Sequence, residues 1–232
     1  MPLALDSLRR RHREWHHRAG LAGRPWLILG AAPVPTVDPE RLPESIAFVH
    51  INNAGLTAHR LGLPAADLTY RAGRKPMTPL EGLSSRALLY VTAEPRPLAR
   101  LKGRFGTPLE VATAEALSFA DRDRIVNEVI GEDIRGVGVY GKPSSGVAAV
   151  AYALFCEVPY VVLAGVSVAA DGWSYDATPS VRLQKEEDRF ALAALAGRYP
   201  GRLATTEPGL AADTGLALLG EPANGARKRV TG

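Results

Sequence analysis

Tyr160-Val161-Val162-Leu163-Ala164-Gly165-Val166 is the most strand-like stretch of the chain. Its apolar residues are consecutive rather than alternating, the pattern of a strand covered on both faces in a parallel sheet. Pro159 stops whatever precedes it, and what precedes it is the small-residue run from Gly146 to Phe155. That run is a helix opened by Ser144 or Ser145 as N-cap. A second buried strand is Trp26-Leu27-Ile28-Leu29, ending at Gly30, and a third is Ala47–Asn52. Asp67–Tyr70, Ala87–Thr92, Leu109–Thr113 and Arg202–Thr206 read as further strands. Helical patterns fall at Leu3–His17, Leu56–Leu63, Arg96–Phe105, Asp121–Ile130 and Leu183–Arg198. Apolar strands alternating with such helices predict a single Rossmann-like α/β domain: a mainly parallel sheet with helices on both faces.

The bulk properties fit that expectation. The chain has 232 residues, of which 46% are hydrophobic and 22% charged, ordinary for a folded domain with a closed core. No apolar run approaches the roughly 18–20 residues that span a bilayer. The arginine-rich N-terminus lacks the apolar segment of a secretory signal. Cys156, the single cysteine, sits in an apolar run, which excludes an internal disulfide and suits a small buried hydrophobe. These features point to the cytoplasm. Residues 1–222 are expected to form the domain and 223–232 a disordered basic tail.

Charge is uneven. Six arginines within residues 1–25 face two acids, and Arg227-Lys228-Arg229 adds three more cations, so the body between is slightly acidic. That excludes a nucleic-acid-binding domain with a broad basic face. Residues 71–104 differ, with eight Lys/Arg against Glu81 and Glu94. This basic stretch, within a loop or lid region over 71–108, suggests a patch for an anionic ligand or a membrane surface, the plain alternative being a solvated face.

Ligands of open α/β sheets bind beyond the carboxyl ends of the strands, and three segments should meet there. Gly30-Ala31-Ala32-Pro33 follows the first strand, its small residues letting backbone approach a phosphate or sugar. The second and third glycines of a dinucleotide fingerprint are missing, which argues against NAD or FAD. Asn52-Asn53 ends the next strand, where paired amides read a base or ribose, or merely favour a turn. Lys142-Pro143-Ser144-Ser145-Gly146 enters a helix whose free N–H groups and dipole attract anions.

The order of these segments, followed by Asp171-Gly172-Trp173-Ser174-Tyr175-Asp176, resembles the bacterial sialyltransferases of glycosyltransferase family 42. In that family a Gly-Asn-Gly-Pro-Ser loop and a later asparagine hold the cytidine nucleotide of CMP-sialic acid. A Thr-Ser-Gly-Val helix start and a Gly-x-x-Tyr loop complete the pocket. The likeness covers about residues 26–70 and 142–206. It implies a GT-A-like variant of the Rossmann-like fold, and an inverting transferase that moves an acidic sugar from a CMP- or other nucleotide-activated donor to a glycan or anionic acceptor. Donor contacts would come from Gly30, Ala31, Ala32, Asn52, Asn53, Lys142, Ser144, Ser145, Gly146 and Trp173. Neither a metal nor a cofactor beyond the nucleotide-linked donor is implied, and membrane contact and self-association stay open.

Several family positions are changed. Ala31 stands for the loop asparagine, Val34 for a serine and Ala169 for one of two tyrosines, the other being Tyr175. The histidine base falls in the neighbourhood Val181-Arg182-Leu183-Gln184, and all five histidines lie within the first 59 residues. A carboxylate must then take the acceptor proton, with Asp171, beside Gly172, the first candidate and Tyr175 the partner of the leaving phosphate. The alternative is a relative that binds nucleotide without catalysis.

Overall fold

The computed structural model describes residues 4–178 and 180–220, so the expected basic tail lies outside the described residues. Eight strands form one sheet: β1 (Trp26–Leu29), β2 (Ala47–Ile51), β3 (Ala66–Ala72), β4 (Ser84–Thr92), β5 (Glu110–Ser118), β6 (Val161–Ala164), β7 (Leu203–Thr205) and β8 (Ala217–Leu218). Their order is β5-β4-β3-β2-β1-β6-β7-β8, and every pairing is parallel. Among the described residues seven α-helices accompany them: α1 (Leu5–Arg18), α2 (Ala54–Arg60), α3 (Arg96–Phe105), α4 (Phe119–Ile130), α5 (Ser145–Phe155), α6 (Lys185–Arg198) and α7 (Pro208–Thr214).

Strand alternation divides the core between two faces. Trp26 and Ile28 of β1 join Val161 and Leu163 of β6 in one cluster with Leu8 and Trp15 of α1 and the whole buried length of α5. Leu27, Leu29, Val162 and Ala164 point the other way, against Ala54 and Ala58 of α2. Leu88 and Tyr90 of β4 pack with Ala99 of α3 on a third cluster. Each such leucine withdrawn from water contributes about 1.5–3 kcal/mol, which is why the fully apolar strands sit at the centre. Local chemistry agrees: Ser118 accepts from the Asp121 amide to start α4, and Gly131, at φ 84°, ends it.

The chain builds outward from β1 to β5 on one side, then returns to pair β6 with the other edge of β1. Ile28 is registered on Val49 of β2 and on Leu163 of β6. The strand order therefore reverses between β1 and β6, and their carboxyl ends open a crevice at that point.

The expected loop or lid at 71–108 is corrected. Residues 71 and 72 belong to β3, β4 spans Ser84–Thr92, and α3 occupies Arg96–Phe105, leaving 73–83 as the connecting loop with one 3-10 turn at Thr78–Leu80. The basic stretch is also partly offset. Arg96 pairs with buried Glu115 at 2.7 Å, Lys102 with Glu94 at 2.7 Å, and Arg86 lies 3.8 Å from Asp67. Cys156 is buried, its thiol pushed up to about 12 by that burial.

Candidate functional site

β1 is followed by Gly30, and β6 by Gly165, at the reversal of strand order. The backbones touch there: Gly30 N–H donates to Ala164 O at 2.8 Å and Ala32 N–H to Gly165 O at 2.8 Å. Gly165 has φ 59°, and its amide donates to Glu207 Oε1 at 2.7 Å. Side-chain-free backbone thus forms the floor of a cleft of about 240 Å³.

Three walls rise from that floor. Gly30, Ala31 and Ala32 supply one, Asn52 and Asn53 a second, and Ser144, Ser145 and Gly146 a third. Asn52 adopts the left-handed conformation (φ 54°), and its Oδ1 accepts from the Ala72 amide at 2.9 Å, tying the end of β2 to the end of β3. That side chain is therefore both a turn residue and part of the wall. Asn53 occupies the N-cap position of α2.

Ser144 is the N-cap residue of α5, yet its hydroxyl makes no cap hydrogen bond. Its amide instead donates to Asp188 Oδ1 at 2.7 Å, and Asp188 also takes Arg182 Nη2 at 2.5 Å. Burial raises the Asp188 carboxyl above its ordinary range, against the pull of Arg182 and Ser144. The first-turn amides of α5 are left without intrahelical acceptors on the cleft side. A Cβ at Gly146 would meet nothing nearer than Ser144 Oγ at 3.8 Å, so the space there is open to a ligand.

The segment after β6 closes the fourth side. Trp173 and Tyr175 both line the cleft, their rings stacked with centroids 6.1 Å apart. The segment is anchored from beneath: Ser174 N–H donates to Ala31 O at 3.1 Å, and the Ser174 hydroxyl lies 2.6 Å from that of Thr57. Arg60 donates to the carbonyls of Ser174 and Tyr175 at 2.6 and 3.0 Å.

Two expected site residues fall elsewhere. Lys142 is half-buried and is not part of the cleft wall, which begins with Ser144 and Ser145 two residues on. Asp171 is exposed and also outside it, holding the Arg182 amide at 2.8 Å and Lys185 Nζ at 3.0 Å. Those two bonds hold its carboxyl below the usual range, the reverse of what a base requires. Asp171 is a loop clamp. The cleft also gains residues the sequence reading did not assign to it: Lys75, Arg182 and Gln184. Lys75 Nζ stands 5.6 Å over the Trp173 ring. Its ammonium is held below the ordinary range by partial burial and by Arg71.

Among the described residues lining the cleft there is no carboxylate and no imidazole, while Lys75 and Arg182 are cationic. Such a surface suits an anion carrying a polar base or sugar. A larger hollow of about 910 Å³ lies between α1 and the Cys156–Val158 turn at the amino edge of the sheet. Its lining sets Arg9, Arg10, Arg13 and Arg18 beside Asp6, Glu14 and Glu157.

Known structures share this architecture. The sialyltransferase CstII from Campylobacter jejuni, solved with the substrate analogue cytidine-5'-monophosphate, superposes with a TM-score of 0.55 at 15% identity, over 84% of this chain and 85% of that one. CstII in complex with a trisaccharide acceptor and CMP gives 0.54 at 15% identity, over 84% and 87%. The monofunctional α-2,3-sialyltransferase Cst-I from the same organism gives 0.51 at 15% identity, over 84% and 80%. The fold is therefore that of the sialyltransferases. No family model matches the chain, and no curated protein matches it.

Proposed function

We propose that this chain is a glycosyltransferase of the sialyltransferase kind, close to glycosyltransferase family 42, that binds a CMP- or other nucleotide-activated acidic sugar. The single observation that carries the reading is the convergence of Gly30–Ala32, Asn52–Asn53, Ser144–Gly146 and Tyr175 on one cleft at the switch point, with cations and no carboxylate around it. The phosphate sits at the amides of Ser145 and Gly146, where the α5 dipole and unpaired N–H groups favour negative charge. Asn52 and Asn53 read the nucleoside through their amide NH₂ donors, their oxygens being held by the Ala72 amide and by Arg71. Tyr175 donates its phenolic hydrogen to the departing phosphate.

In transfer with inversion, the bond from the sugar's anomeric carbon to the phosphate oxygen breaks and the nucleotide leaves with the electron pair. An acceptor hydroxyl oxygen bonds to the opposite face of that carbon, and its proton passes to the phosphate of the departing nucleotide or to water, since no carboxylate or imidazole among the described residues lines the cleft. The acceptor is a glycan or another anionic hydroxyl compound, drawn to the Lys75 side of the cleft. A second reading, donor binding without transfer, is favoured by one observation: no carboxylate or imidazole among the described residues lines the cleft.

Calorimetric titration with CMP, CDP, UDP and GDP tests the binding, and release of CMP from a CMP-linked sialic acid, with and without lactose-type acceptors, tests the transfer. Tight CMP binding with turnover supports the first reading. Binding without turnover supports the second, and no binding of any nucleotide overturns both.

A further inference from the structure

α3 carries its large apolar residues on the outside. Its inward side is small: Ala99 is fully buried in a cluster with Leu88 and Tyr90 of β4, and Gly103 faces the same sheet. A Cβ on Gly103 would stand 3.2 Å from Leu88 Cδ2 and 3.4 Å from Cβ of Ala114, so the helix lies too close for anything larger. Leu98, Leu101 and Phe105, by contrast, are 60%, 59% and 71% exposed. At about 100° per residue they fall within roughly 60° of arc, on the side away from Ala99 and Gly103. The core beneath α3 closes without them. Such a stripe contributes nothing to the fold and leaves apolar surface in water, the mark of a contact surface.

Cations flank the stripe on both sides. By helical position Arg100 and Arg104 lie along one side and Lys102 along the other. No acid lies within α3 itself. Arg104 has no carboxylate partner among the described residues, and its Cζ lies 5.1 Å over the Phe105 ring. Arg100 Nε reaches Glu115 only at 4.0 Å, behind Arg96 at 2.7 Å, while Lys102 holds Glu94 at 2.7 Å. The four cations of the helix thus meet two acids, and its outer face stays positive.

We propose that α3 is a docking helix for an anionic lipid surface. The three apolar side chains enter the acyl boundary, while Arg100, Lys102 and Arg104 reach the headgroup phosphates. Charge decides the occupant: a second copy seated here would set cations against cations in either helix orientation. The 73–83 loop packs with α3 through Leu80 and Met77 and also supplies Lys75 to the cleft wall. The docking surface does not depend on the nucleotide reading.

Flotation of the full chain with vesicles tests it, using phosphatidylcholine alone or with about a third phosphatidylglycerol. Binding is expected to the anionic vesicles only, and to weaken as salt rises. Leu101→Gln with Phe105→Gln changes two exposed positions and keeps good helix formers. It should lower the partition coefficient at least tenfold at an unchanged thermal midpoint. Arg104→Gln should lower it about fivefold and flatten the salt dependence. A second readout places the contact on α3. In Phe105→Trp, anionic vesicles should shift the emission to the blue, while the wild-type spectrum from Trp15, Trp26 and Trp173 stays in place. No binding to anionic vesicles at low salt overturns the proposal. So does wild-type binding in the double Gln variant, which would put the contact on another basic segment. A lipid-free dimer that the double variant abolishes, with vesicles ignored, would assign the stripe to a second copy and overturn it equally.

Discussion

A Cβ placed on Gly165 would stand 2.9 Å from the carbonyl oxygen of Gly30 and 3.1 Å from Cβ of Pro35. The converse holds for Gly30, whose added Cβ would press on the Gly165 carbonyl. The two strands on either side of the reversal in strand order therefore leave the sheet in backbone-to-backbone contact. That contact is what brings the loops after β1 and β6 close enough to share one cleft. Gly165→Ala adds both the overlap and a left-handed residue (φ 59°). It is expected to lose about 2–5 kcal/mol, read as a fall in the urea midpoint at constant slope. A loss below about 0.5 kcal/mol would mean the crossing relaxes freely.

At Gly146 the same substitution meets open space rather than backbone. The nearest atoms to an added Cβ are 3.8 and 3.9 Å away, which is ordinary contact. Gly146→Val should keep the thermal midpoint and remove nucleotide binding, since the branched side chain occupies the volume above the α5 amides. At least a tenfold loss in calorimetric affinity is expected, about 1.4 kcal/mol. Wild-type affinity in the variant would show that the helix start is only a structural turn.

Asn52 carries two tasks that one substitution can part. Its left-handed backbone favours Asn or Gly, and its Oδ1 holds the Ala72 amide. Asn52→Gly keeps the backbone at little cost, whereas Asn52→Ala leaves a Cβ in the left-handed region without the local side-chain hydrogen bond that lets asparagine sit there, at about 1–2 kcal/mol. Both should lose nucleotide affinity, but only Asn52→Ala should unfold markedly earlier by circular dichroism. Equal stability of the two variants would contradict the conformational half of this account.

The strands at the centre were legible because every residue in them is apolar. Trp26–Leu29 and Val161–Ala164 have no alternative fate in water, and Gly30 and Gly165 end them visibly. β5 was legible only in its first half: Glu115 interrupts the apolar pattern, and its neutralising partner Arg96 lies on α3, beyond any local window. α7 and β8 went unread because Pro208-Gly209 looks like a loop and a two-residue strand has no period. Within the cleft, small residues and amides following apolar strands were readable as a wall. Arg71 was not, since a lone arginine in a basic stretch says nothing about burial until β2–β3 pairing places Asn53 beside it.

Asp171 offers a test of the corrected assignment. Its carboxylate is exposed, fixed by the Arg182 amide and Lys185, and is not part of the cleft lining. Asp171→Asn retains an oxygen for the Arg182 amide, so nucleotide affinity and any measured donor turnover should match wild type. A loss of turnover with affinity retained, in steady-state assays of CMP release, would return Asp171 to the role of base.

The buried histidines give the fold a pH signature. His12 Nδ1 and His16 Nε2 lie 2.8 and 2.9 Å from the single hydroxyl of Tyr152, and His50 is buried with Nε2 unpartnered. Burial lowers His12 and His16 to about 3 and His50 to about 4, with Arg11 adding to the effect at His12. In the unfolded chain each titrates near 6.5. Above that value the imidazoles are neutral in both states, and stability is full. As pH falls below it, the unfolded chain takes up protons that the native one refuses, so stability declines until the folded pKa values are passed near 4 and 3. Each histidine contributes a slope of up to about 1.4 kcal/mol per pH unit, and the three together about 4. Urea unfolding at pH 7, 6, 5 and 4 should follow that decline, and His50→Leu should reduce the slope by about a third. Stability that stays level from pH 7 to 5 would mean that water or a rearranged Tyr152 hydroxyl accommodates the charged imidazoles.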